Sequence, residues 1–268
     1  MSASMFTASK NLKINKFVKF DAEKNADQFF QETGEYENFE RLRPGLGCSV
    51  IIPTVFDNGE RKNLILGYTR SSPDVPVLEG LQFSIGGGAL DMVAGGYNQP
   101  IGKLFQSKMS AEVAEHAEMC DIFNNLTYDT NVHSNVQSDK KMNYATVIGI
   151  AKEMHIDELR KLLSNTGAAV RAAAVEKKYL KVQNIYAYDI NEVREQISGV
   201  EHQYPNVKEG TELPANAITL TNYAEANIPK QAHRPFATTH LKKAVEANML
   251  TDQHVAEISQ QNVPRLTA

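Results

Sequence analysis

The sequence predicts an α/β protein built on a mixed, largely antiparallel sheet. Three observations predict it: two β-branched, apolar runs close on an Asn-Gly turn, a short strand runs into three glycines, and later strand-like runs alternate with capped amphipathic helices. With 268 residues, 42% hydrophobic and 22% charged, the chain can bury one sizeable core, or one core and a small appendage, and intrinsic disorder is excluded.

Residues 1 to about 43 are polar and read as a lead-in. Their one amphipathic stretch, Ala22 to Phe39, carries Phe29, Phe30, Tyr36 and Phe39 among acids and predicts a helix followed by a loop. Cys48 to Phe56 and Lys62 to Thr69 flank Asp57-Asn58-Gly59, which predicts a β-hairpin. Pro53 has no N–H to give to a ladder, so its part of the first strand is expected at an edge or a bulge. A loop at Ser71 to Pro76 leads to a strand, Leu81 to Ile85, that ends on Gly86-Gly87-Gly88, and Gly95-Gly96 follows.

Ser107 and Ser110 each suit the N-cap of a helix running to about Asn124. Met109, Val113, Ala117, Cys120 and Phe123 share its inner face, and Glu112, Glu115 and Glu118 share another. Residues 127 to 143 are polar and predict a long surface loop. Tyr144 to Glu153 is the next expected strand, and Ile156 to Leu163 a short helix opened by Asp157 and Glu158. Val182 to Tyr188 predicts a strand that passes directly into a capped helix, Asp189 to Ile197. Residues 205 to 236 read as loop, and Thr238 to Ser259 as two short helices around Leu250-Thr251-Asp252. The expected domains are a lead-in over 1–44, one α/β unit over 45–205, and a loop with a helical C-terminal extension over 206–268.

Lys and Arg number 28 against 32 Asp and Glu, a net charge of −4 with a pI near 6.0, so no global field holds a polyanion and DNA is not an expected partner. Cys48 and Cys120 stand outside any CxxC spacing. That excludes a disulfide framework and a thiolate zinc site, and both are expected to pack as small apolar residues. Apolar stretches fall short of the roughly 20 residues that a membrane helix needs, and the N-terminus lacks a secretory h-region. A soluble cytoplasmic protein with no membrane partner is expected.

A hairpin, a strand into Gly87-Gly88-Ala89-Leu90-Asp91, a loop and a glutamate-rich helix together resemble the Nudix hydrolase family over roughly residues 45 to 200. The resemblance implies an α/β/α sandwich with a mixed sheet and hydrolysis of a nucleoside diphosphate linked to another moiety. The family's signature is a loop, helix and loop whose glutamates hold Mg2+ or Mn2+ against a pyrophosphate. Here its first glutamate falls on Ala94, and an insertion from Gly95 to Gln106 displaces the helix. One register sets Ala111-Glu112-Val113-Ala114-Glu115-His116 on the signature's core, with alanine for arginine and histidine for the last glutamate. A second, Ala114 to Met119, likewise keeps two acids and lacks the arginine.

Glutamates one turn apart put hard oxygens on one helix face, and like charges so placed invite a cation. The resemblance makes Glu112 and Glu115 the catalytic pair, with Glu118 and His116 as further metal ligands. It makes Gly86, Gly87, Gly88 and Asp91 the substrate-binding residues. The glutamates equally suit a solvated helix face, and the glycines equally suit a tight turn. Two functions are therefore expected as alternatives: a metal-dependent hydrolase, and an inactive module that binds a nucleotide or a protein. Gly86-Gly87-Gly88 before a small-residue helix also resembles ADP-ribose-binding macrodomains, although the Asn-rich strand end of those proteins is missing upstream. A homodimer through the hairpin edge or the C-terminal helices is left open.

Overall fold

The computed structural model describes residues 15–34, 43–70, 80–82, 87–89, 98–105, 122, 125–137, 142–164, 184–198 and 235–260. Their strands are β1 (Asn15–Lys19), β2 (Arg43–Val55), β3 (Arg61–Arg70), β4 (Gly80–Gln82), β5 (Gly87–Ala89), β6 (Thr127–Gln137), β7 (Met142–Ile150), β8 (Met154–His155) and β9 (Asn184–Asp189). The helices are α1 (Ala26–Gly34), α2 (Ile190–Ser198), α3 (Pro235–Glu246) and α4 (Asp252–Gln260), and residues 101–105 and 156–164 are also helical. One mixed sheet runs in the order β1-β6-β7-β2-β3-β4, with β5 and β8 also on β2 and β9 on β3. β2 is parallel to β7 and β8, and the other described pairs are antiparallel.

The expected hairpin forms, with Ile51 opposite Ile65 and Val55 opposite Arg61. Its turn needs Gly59, whose φ of 80° is costly for residues with a Cβ, and Asn58 Oδ1 accepts the Glu60 N–H at 2.9 Å. Pro53 sits where β2 changes partners: the ladder to β7 ends at Ile51 and the ladder to β8 begins at Thr54. The missing N–H falls in that gap, so a proline is accommodated in a strand that is central elsewhere.

Away from the turn, β2 and β3 part. β2 meets β7 on one edge from Arg43 to Ile51, so β5, opposite Gly45 to Gly47, lies on its other edge, toward β3. β3 meets β9 along its outer edge, so β4, opposite Tyr68 to Arg70, lies on its inner edge, toward β2. β4 and β5 thus fill the split between the two hairpin strands. Gly87 and Gly88, expected to punctuate a strand end, are themselves strand residues.

The stretch expected as a surface loop over 127–143 is instead largely β6, paired with β1 on one edge and β7 on the other. Apolar alternation is missing there because buried positions are held by Asp129 and His133. A two-residue register shift between Tyr128 and Val132 forms a bulge that turns Asp129 inward. β1 was not expected from its short, lysine-flanked run.

Alternation elsewhere divides the sheet's side chains between two cores. Cys48, Val50, Ile52, Leu64, Leu66 and Val147 face α1 and helical residues 101–105 and 156–164. Ile51, Ile65, Ile148 and Ile150 face α2, α3 and α4. Phe20 anchors the first core, edge-on to Phe29, Phe105 and Tyr128 with ring centroids 5.4–6.0 Å apart. Cys48 packs as the expected small apolar residue, and burial pushes its thiol up to about 12; Cys120 lies outside the described residues.

The helix ends follow local chemistry. Asn25 Oδ1 accepts the N–H groups of Asp27 and Gln28 at the start of α1, and Asp189 Oδ1 accepts that of Asn191 at 2.8 Å at the start of α2. α3 closes in a Schellman motif: Asn248, at φ 57°, donates to Val245 O, and Met249 donates to Ala244 O. Met249 and Ala244 are both buried in the second core, so the turn that ends α3 also aims α4. No helix among the described residues is long and apolar enough to cross a membrane.

Gly149 on β7 packs tightly against the first core. A Cβ there would stand 2.8 Å from Leu126 Cδ1 and 3.0 Å from Cys48 Sγ. Gly149→Ala is expected to destabilise the protein by about 1–3 kcal/mol, read as a lower urea midpoint with an unchanged slope.

Candidate functional site

The structure places Gly87 and Gly88 in β5, backed by Gly47 and Leu46 of β2. Gly86, Asp91, Glu112, Glu115, His116 and Glu118 lie outside the described residues, as does most of the helix expected from Ser107 or Ser110 to Asn124. Both flanks of that segment are fixed. Ile101, Leu104 and Phe105 before it, and Ile122 after it, are buried in the first core. The Ala26 and Ile101 N–H groups donate to Gln99 O and Lys24 O, which tie its entry to α1.

Three other places gather chemically capable side chains. At the hairpin turn, Asp57, His155 and Asp157 offer ligand atoms within 4.8 Å of one another. His155 Nε2 is 3.6 Å from Asp57 Oδ1, and its Nδ1 is 3.9 Å from Asp157 Oδ2. Two carboxylates and an imidazole form a donor set for a divalent ion. Arg160 is already there, with Nη1 3.1 Å from Asp157 Oδ1 and 3.9 Å from Asp57 Oδ2. Its guanidinium offsets the acids, and the three ligand side chains are exposed, so the set works as a polar tie between the turn and the helix at 156–164.

A cleft of about 610 Å³ opens between α4 and the ends of β2, β3 and β7. It lies at the carboxyl ends of the parallel pair β2 and β7, the end at which open α/β sheets receive ligands. Ile150 and Val255 are among its apolar walls, and Arg61, Lys62 and Lys152 are its cations. Arg61 is 3.7 Å from Glu153, and Lys62 is 3.5 Å from both Glu60 and Asp189. Asp252 accepts from Asn63 at 2.7 Å and from Asn191 at 3.0 Å. Most of the charge around the cleft is thereby matched internally, and it has no marked preference for an anion.

The third place lies where α3 and α4 cross β6. His254 Nε2 is 2.5 Å from Asp129 Oδ2, and the same carboxylate accepts from the Asn131 backbone N–H at 2.9 Å. Nearby, His133 and His240 are 1% and 2% exposed, with their Nδ1 atoms 3.4 Å apart. These pairs join residues 125 and 107 positions apart, so no local spacing could reveal them. The apex set was more accessible: His155 and Asp157 open a helix, and Arg160 sits three residues after Asp157.

The hydrogen bond to Asp129 raises the His254 pKa above its ordinary value. A raised folded-state pKa gives stability that is full below the unfolded value near 6.5 and is lost as pH rises through the folded value. Asp129→Asn is expected to cost about 1–3 kcal/mol near neutral pH. It should also remove that part of the decline in stability, measured by urea unfolding in steps upward from about pH 6.5.

Against known proteins, the chain matches no family model and no curated sequence, so what it does has to be argued from its own residues and their arrangement.

Proposed function

We propose that the chain is a divergent, metal-dependent hydrolase of a nucleoside diphosphate linked to another moiety, on a Nudix-type α/β/α sandwich. One observation carries the reading: β5, which bears Gly87 and Gly88, pairs with β2 inside the split of a mixed sheet covered by helices on both faces. The segment that resembles the signature starts from that strand. Residues on its two flanks, Ile101, Leu104 and Phe105 before it and Ile122 near its end, are buried in the core that the sheet shares with α1.

In this reading Glu112 and Glu115 hold Mg2+ or Mn2+, with Glu118 and His116 as accessory ligands. Carboxylate oxygens are the donors that these hard ions prefer. The ion would supply positive charge to a phosphoryl oxygen. Gly86, Gly87, Gly88 and Asp91 would bring backbone N–H groups and a carboxylate to the substrate. A carboxylate would take the proton from water as its oxygen bonds to phosphorus, the bridging P–O bond would break with its electron pair on the departing phosphate, and two phosphate-bearing products would leave.

A second reading, a binding module without turnover, is favoured by a specific departure: the signature's arginine is Ala111 or Ala114, and its last glutamate is His116 or Met119. One panel separates the two. Nucleoside diphosphate compounds, ADP-ribose included, are offered with Mg2+ and with Mn2+. The hydrolase turns one of them over, and Glu115→Gln lowers the rate by roughly 10²-fold or more. Binding without turnover selects the module.

The same helix makes a prediction that needs no substrate. Divalent ion near 100 times its Kd should stabilise the fold by about 2.7 kcal/mol, seen as a higher melting temperature. Glu112→Gln with Glu115→Gln should abolish the shift and leave the metal-free protein folded. Identical responses of the two proteins would assign these glutamates to a solvated face.

A further inference from the structure

α3 and α4 reach the sheet through two histidine contacts with opposite requirements. His240, on α3, lies against His133 of β6 with ring centroids 5.4 Å apart, and Phe17, the β1 residue paired with His133, also meets its ring at 5.4 Å. Only one of the two facing Nδ1 atoms can carry the proton that lies between them, so the contact holds with neutral rings. His240 Nε2 is fully buried and has no hydrogen-bond partner among the described residues. A second ring proton would make His240 a buried cation whose Nε2 has no acceptor among the described residues. His254, on α4, does the reverse: it donates to the buried Asp129 carboxylate and gains from being charged.

The surrounding charges sharpen the contrast. Lys243, one turn after His240 on α3, opposes a charge on His133, and its ammonium also meets Glu246 at 2.6 Å. β1 adds Lys19, and α3 adds Lys242. α2, packed against α3, carries Glu192, Arg194 and Glu195. On β6 the nearest carboxylate, Asp129, is already engaged by His254 and Asn131, while α4 carries Glu257.

We infer that the C-terminal helices form a pH-sensitive clamp on β6, in which acid undocks α3 at the His133–His240 contact while α4 stays held by His254 and Asp129. Burial, and then Lys243, push His133 down to about 4, and burial with His133 pushes His240 well below its usual value. Depressed folded-state values mean that this contact is at full strength above about pH 6.5 and is lost as pH falls from there toward 4. Leu241 and Ala244 of α3 share the second core with Ile51, Ile65, Ile148 and Ile150, so undocking opens that core from the β6 side.

Native-state hydrogen exchange on the full chain tests the clamp. Between about pH 7 and about pH 5, after correction for intrinsic exchange, the opening constant of α3 amides from Leu241 to Val245 should rise roughly 20-fold from His133 alone. Amides of β7 should keep much smaller opening constants than those of α3 at both pH values, because they exchange only through larger unfolding. His133→Phe keeps a ring in place and should remove that roughly 20-fold share of the α3 response. Should that variant fail to fold, the wild-type profile and the ring-proton titrations of His133 and His240 decide. The clamp is overturned if α3 and β7 open together, if α3 protection is unchanged in acid, or if both imidazoles titrate near 6.5 with α3 still protected.

Discussion

The whole fold hangs on the requirement that β2 be satisfied on two edges and two faces at once. Along its thirteen residues it meets β7 and then β8 in parallel on one edge, and β5 and then β3 antiparallel on the other. Cys48, Val50 and Ile52 enter one core and Ile51 the other. Such a strand tolerates little. Gly149 brings β7 within reach of Cys48, and Pro53 stands at the one point where the parallel partner changes. The proline sits in a gap of the ladder, and the glycine where the packing leaves no room for a Cβ.

That requirement explains which elements were legible in the sequence. The hairpin announced itself because both its strands are buried on two faces and joined by a turn that only glycine suits. α2 was legible because Asp189 ends one strand and caps the following helix. The tail helices were legible on either side of Leu250-Thr251-Asp252, where the chain passes from α3 to α4. β6 was not legible: its inward positions include Asp129 and His133, whose partners arrive from far along the chain, so a polar stretch conceals a strand between two others. Gly87 and Gly88 were read as punctuation because glycine disfavours strands. The split in the sheet supplies the edge that lets them pair.

The site was less legible than the fold. The glutamates that define the expected chemistry are near neighbours in sequence, and their helical spacing could be read directly. The histidine and aspartate contacts under α3 and α4 are made entirely by tertiary structure. Apex and cleft are close to electrostatically complete, with Arg160 between Asp57 and Asp157, and with Arg61 and Lys62 beside acids. A fold of this kind accepts many chemistries, and charges already matched within the protein leave little for a ligand to gain.

The parallel ladder of β2 and β7 has a bearing on how the chain is made. Its partners, such as Arg43 and Met142, are about a hundred residues apart, a long-range pairing of the kind that slows folding. On the ribosome the β2–β3 hairpin emerges well before β7, with the β2 edge waiting for a partner still to be synthesised. An open edge of that kind can pair with another nascent chain. The same residues that look like irregularities in the finished strand, Gly45, Gly47 and Pro53, interrupt that edge while it waits. They act as gatekeepers, keeping the edge from zipping onto a stranger before β7 arrives.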